Sequence, residues 1–115
     1  MPTKLNLTDR KASAAAQLTK GQTFYTAAGK AQQAAQTAQK PLLRANQACV
    51  ESTAAAGIYD EVDKTQDQLI AAGIDPATFY AGMLTNADRL VAAASADNAE
   101  AQRIADGSDS PGTPG

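Results

Sequence analysis

The sequence predicts an all-α protein, and three observations carry that prediction. Alanine, the strongest helix former, supplies 27 of the 50 hydrophobic residues. Proline stands only at 2, 41, 76, 111 and 114, which leaves two long uninterrupted stretches and most of a third. Within those stretches, apolar residues recur at spacings of three and four, the period of one helix face. Leu, Ile, Val and Phe together number only 17, so the helices are expected to meet through small side chains. The architecture this implies is an elongated helical hairpin or a three-helix arrangement, in a single domain over about 8–105 of the 115 residues.

Residues 1–7 alternate apolar and polar side chains around Pro2 and read as an extended arm. Asn6 or Thr8 can cap the helix that follows, and Asp9 complements its dipole in the first turn. The first helical run is expected over about 8–40, with Gly21 and Gly29 as its weak points. Ala14, Leu18, Gly21, Tyr25, Ala28 and Ala35 form a helix-packing seam along it, continued by Leu42, with Phe24 beside it. Pro41 suits the first turn of a new helix and would kink an existing one, which puts a break near Lys40.

The second run is expected over about 42–72, with Ile58, Val62 and Leu69 on its core face, and Gly73 in the usual position after a helix end. Asp75 followed by Pro76 is the clearest helix start in the chain. The third run, about 76–105, carries the bulkiest face: Phe79, Met83 and Leu90 along one side, adjoined by Tyr80, Leu84, Ala87 and Val91. Residues 106–115, rich in Gly, Ser and Pro, have the composition of a flexible tail.

Charge divides the chain. Lys4, Arg10, Lys11, Lys20, Lys30, Lys40 and Arg44 face the single acid Asp9 in the first 50 residues, a balance of +6, and the remainder carries −8. Two arrangements satisfy this split: the basic helix folds back on acidic ones of its own chain, or opposite ends meet on different subunits. Lys20, Lys30 and Lys40 on one side, and Asp60, Asp63 and Asp67 on the other, are the candidate electrostatic contacts. Arg10, Lys20, Lys30 and Lys40 recur every ten residues and therefore rotate around a helix instead of lining up, which argues against nucleic acid as the partner.

The chain has no histidine and one cysteine, Cys49, so His-dependent catalytic triads, Cys/His zinc sites and intrachain disulfides are excluded. Asp60, Glu61, Asp63 and Asp67 lack the glycine turn of a calcium loop and read as a solvated acidic face. The glycines do not stand at the spacing of a phosphate-binding loop. No catalytic, cofactor-binding or metal-binding residues are assigned, and no cofactor is expected. No apolar stretch is long enough for a membrane span, and the first residues lack the order of a signal peptide.

Tyr59–Asp63 reads Tyr-Asp-Glu-Val-Asp, which resembles the Tyr-x-x-x-Asp/Glu export signal of the small helical-hairpin substrates of type VII secretion. That resemblance implies an exported hairpin protein. The chain departs from the family in lacking its Trp-x-Gly turn and in placing the tyrosine mid-chain.

Thin core, small-residue seam and split charge together lead to the expectation of a non-enzymatic structural protein. It would act in many copies and pack against itself and other subunits of a larger assembly. A virion component, such as part of a bacteriophage capsid, neck or internal core, is the favoured setting, with localisation in the virion or cytoplasm. The alternatives are a helical adaptor or chaperone-like module that grips one partner protein, and the small exported hairpin protein.

Overall fold

The chain enters its first helix through a cap that the sequence supplies locally: the Thr8 amide donates to Asn6 Oδ1 at 3.0 Å and the Lys11 amide to the Leu7 carbonyl at 2.9 Å. The structure is a computed structural model that describes residues 3–34 and 39–105, with side-chain surroundings for 3–26 and 43–103. Its elements are α1 (Thr8–Ala34), α2 (Gln39–Ala71), α3 (Pro76–Phe79) and α4 (Ala81–Ala105). Among the described residues there is no strand. The fold is all-α, and its long axis measures 60 Å against 21 and 16 Å across.

Helix boundaries follow the breakers with two corrections. Of the first run, Thr8–Ala34 is described as helix and 35–38 lie outside the described residues; α2 begins at Gln39, before the expected Leu42, so Pro41 sits within its first turn, where its missing amide hydrogen has no intrahelical acceptor to forgo. The third run is divided at Tyr80, whose backbone (φ −97°, ψ 12°) leaves the helical region between α3 and α4. Gly73 ends α2 with φ +80°, the left-handed conformation that a glycine adopts without steric cost. Asp75 precedes Pro76 in extended geometry, as a cap residue should, but its carboxylate accepts from the Thr78 hydroxyl at 2.8 Å and not from the helix amides.

Pairings between side chains fix the topology. Lys4 meets Asp67, Lys11 meets Asp63, and Gly21 lies against Ala45 and Cys49, so α1 and α2 run antiparallel. Thr65 bonds Tyr80, Tyr59 bonds Asp88, and Arg44 pairs with Asp97, so α2 and α4 are antiparallel too. Arg10 with Asp88 and Gln17 with Asn98 set α1 and α4 parallel. Three long helices thus share one narrow core.

Each helix presents a strict seam to that core. On α2 the fully buried positions are Ala45, Ala48, Ser52, Ala55, Tyr59, Val62 and Gln66, an alternation of three and four. Leu7, Ala14 and Gly21 follow at seven-residue steps before and along α1, and Tyr80, Ala87, Ala94 and Ala101 do so along α4. The arm before α1 is tied down by Gln66, which accepts from the Leu5 amide at 2.7 Å and donates to the Leu5 carbonyl at 3.1 Å. A side-chain amide there satisfies both backbone groups of an extended residue, which lets Leu5 and Leu7 cover the end of the bundle without orphaned polar groups.

Candidate functional site

Two kinds of surface emerge from this packing: polar contacts that lock the three helices together, and apolar side chains that the fold leaves outside. Four basic residues of the first half reach acids of the second. Lys4 pairs with Asp67 at 3.4 Å, Arg10 with Asp88 at 3.2 Å, Lys11 with Asp63 at 2.5 Å and Arg44 with Asp97 at 3.1 Å. The Lys11 ammonium holds the Asp63 carboxyl below the usual carboxylate range.

Of the candidate electrostatic contacts, Asp63 and Asp67 therefore meet α1 and the arm, while Asp60 pairs with Lys64 one turn along its own helix at 3.0 Å. Lys20 is exposed and makes no ion pair among the described residues. The side chains of Lys30 and Lys40 lie outside the described residues. Lysines at ten-residue intervals could not all face the acidic helices; Lys4, Arg10, Lys11 and Arg44, which do, stand near the ends of the α1–α2 pair.

A second polar group lies on the side of the bundle toward the α1–α2 connection. Asn98 is fully buried and donates to the Gln17 carbonyl at 3.0 Å and to Gln17 Oε1 at 2.9 Å. Asp97 is 7% exposed and accepts from Arg44. Glu51 Oε1 is sealed from solvent without a donor, and the Glu51 carboxyl lies within the influence of the Asp97 carboxyl. Burial first, then the neighbouring Asp97 carboxyl, push Glu51 up to about 7, with Arg44 opposing them. Burial also raises the half-buried Cys49 thiol above its ordinary value, which keeps it protonated.

The sequence-derived packing residues divide. Ala14 and Gly21 are buried and Leu18 is half-buried, but Tyr25 is 45% exposed, a correction to its place in the seam; the side chains of Ala28 and Ala35 lie outside the described residues. In the core set, Val62 is fully buried, and Ile58, Leu69, Leu90 and Val91 pack half-buried against the cluster it belongs to. Phe79 and Met83 are corrections, at 59% and 39% exposed. The face of α4 is rotated by one residue from the expected one, because the seven-residue run Tyr80, Ala87, Ala94 and Ala101 lets the helices approach closely. Tyr80 also has a hydroxyl that bonds Thr65, whereas Phe79 packs edge-on against the Tyr80 ring, at 5.0 Å between centroids.

Gln66, Asn98, Ser52 and Asp97 were missed because polar residues in an Ala/Gln-rich helix read as surface. The signal that finds them is the three–four spacing of small residues alone: Ala45, Ala48 and Ala55 put Ser52 and Gln66 on their own face.

Outside, Leu43 and Val50 stand 60% and 61% exposed on α2, and Ile74, Phe79 and Met83 are exposed around the α2–α4 connection. Tyr59 of the export-like motif is 1% exposed and donates its hydroxyl to Asp88, which makes it a core residue. Among the described residues no three His, Cys, Asp or Glu side chains gather as a metal set, and no described helix is long and apolar enough to cross a membrane. Comparison with family models, curated proteins and solved structures gives no match for the chain.

Proposed function

We propose that this protein is a non-enzymatic structural subunit that works in multiple copies through helix–helix packing. The observation that carries the reading is an inversion of bulk. Seven of the buried positions are alanines with no exposure, while Leu43, Val50 and Phe79 are each about 60% exposed. Single exposed apolar residues are ordinary, but here much of the chain's limited apolar bulk is outside, on the long face of α2 and around its C-terminal turn. Such a division suits a rod whose sides complete their burial against other helices. The setting we favour is a particle with many copies of one subunit, such as a bacteriophage capsid, neck or internal core.

Sizing the full chain by light scattering over a concentration series tests the reading. Concentration-dependent growth into pairs or larger assemblies is the expected result. A chain that stays monomeric and instead captures one other protein would replace it with the adaptor reading. Mass spectrometry of purified particles from the natural source tests the setting.

A further inference from the structure

The glycines of the two longest helices differ in a way the fold itself does not explain. A Cβ on Gly21 would lie 2.9 Å from Cys49 Sγ and 3.3 Å from the Ala45 carbonyl oxygen, so that glycine is required by the approach of α1 to α2. Gly57, in the middle of α2, has nothing within 4 Å of where its Cβ would stand, and its surface is exposed. A glycine inside a helix is unfavourable relative to alanine, and no contact within the described residues uses the space it leaves.

Gly57 stands on the same outward stripe as Leu43 and Val50, at steps of seven residues. Between them Asn46, Gln47, Thr53 and Ala54 are all exposed, and only at its Asn46 edge does this face border α1, beside Gln22 and Tyr25. The stripe is self-complementary when reversed. Leu43 and Gly57 are equidistant from Val50, and the helix carries Lys40 and Arg44 toward its start and Asp60 and Glu61 further along, with Lys40 and Asp60 again equidistant from Val50; Arg44 and Asp60, paired within the chain with Asp97 and Lys64, each keep about half of the side chain exposed. Laid antiparallel on itself, the face sets a protruding leucine over a gap twice and a basic end against an acidic one twice. Laid parallel, it sets leucine on leucine, gap on gap and like charge on like charge.

From this we infer that the outer face of α2 docks on the same face of a second copy of the chain, antiparallel, about a two-fold axis near Val50, with Leu43 of each copy seated over Gly57 of the other. The contact is isologous and closes on itself. It supplies one pairwise interface within the assembly proposed above and rests on that reading. The exposed cluster at Ile74, Phe79 and Met83 remains free for a different contact.

The test is a residue exchange read by sedimentation equilibrium of the full chain. Gly57→Leu fills the gap and should weaken pairing by about tenfold or more, while melting at no lower temperature, since the added side chain meets nothing within its own chain. Leu43→Ala should weaken pairing less. Combined, Leu43→Ala with Gly57→Leu moves the knob to the other side of the two-fold and should restore most of the lost affinity, which an unrelated surface would not do. Assembly that persists unchanged in Gly57→Leu would overturn this interface and leave the structural-subunit reading standing. A wild-type chain that remains monomeric throughout would remove both.

Discussion

The two ends of the bundle are built differently. At the end where the arm, the α2–α3 turn and the start of α4 meet, Tyr59, Val62, Tyr80, Leu84 and Leu7 form a core of ordinary side chains, with Leu5, Leu69 and Leu90 packed around it. Toward the α1–α2 connection the same three seams continue as Gly21, Ala45, Ala48, Ala94 and Ala101, and the large buried groups there are polar: Asn98 and Asp97, with Glu51 beside them. The first end is held by apolar burial, which scales with side-chain area. The second is held by close backbone approach and by hydrogen bonds, each of which stabilises modestly when made and costs more when broken. One repeat thus serves two kinds of packing, and the consequences of substitution should differ accordingly.

The largest effect is expected in the wide end. Tyr59→Ala removes the largest fully buried side chain, leaves a cavity and strips Asp88 of a donor. Its cost should be about 3–5 kcal/mol in chemical denaturation, comparable with the whole stability of a small domain. A loss below about 1 kcal/mol would mean that this end is not the principal core.

Neighbouring residues on α3 and α4 sharpen the same point. Leu84→Ala should cost about 2–5 kcal/mol, since Leu84 is 6% exposed. Phe79→Ala should cost less than about 1 kcal/mol, because its ring is 59% exposed despite being the larger side chain. Equal losses would place the inward face of this segment one residue away from where the structure has it.

In the thin end the sensitive position is a glycine. Gly21→Ala gains about 1 kcal/mol of helix propensity but drives a methyl group into Cys49 and the Ala45 carbonyl, where overpacking costs about 1–3 kcal/mol. The net outcome should be destabilising, and Cys49→Ala in the same chain should relieve part of it, a coupling that a double-mutant cycle measures. Gly57→Ala should instead stabilise by about 0.5–1 kcal/mol, since nothing inside the chain opposes it.

These contrasts explain what could be read in the sequence. Helix content, the arm, the Gly73 stop and the Asp75–Pro76 start follow from local chemistry, and local chemistry is visible in one chain. The face each helix turns inward is a three-dimensional property. Across α3 and α4, Phe79 and Met83 outweigh Tyr80 and Leu84 by hydrophobicity alone, but the alanines at 87, 94 and 101 decide the face by admitting a neighbour closely. In α2 the same logic buries Gln66 and Ser52, which no hydrophobic pattern selects. The charge split was evident, but its resolution was not: Lys20 stays exposed while Lys4, Lys11 and Arg44 reach acids, because only the pairing register says which cations come within range.

The smallest expected effect tests whether the thin end depends on a proton. Glu51 has a folded value of about 7 against an ordinary 4.5. Between those two values the folded chain retains a proton that the unfolded chain releases, so this group's contribution to stability is complete below the lower value, declines as pH rises through the interval, and is flat above it. Asp63 runs the other way: its folded value lies below the ordinary 3.8, so its contribution is present above that value and is lost as pH falls through the folded one. The two windows do not overlap, which allows them to be separated in one titration of the melting temperature. Glu51→Gln keeps the shape of the side chain and has nothing to ionise, so the decline from about pH 5 to about pH 7 should flatten. Partial solvent access and Arg44 screen the group, so the gain at neutral pH should be no more than about 1 kcal/mol. Lys11→Met should leave that interval untouched and shift only the acid limb. If Glu51→Gln melts with the same pH dependence as the wild type, Glu51 holds no proton in the folded chain, and the narrow end is stabilised by its alanine packing, the Gln17–Asn98 bonds and the Arg44–Asp97 pair.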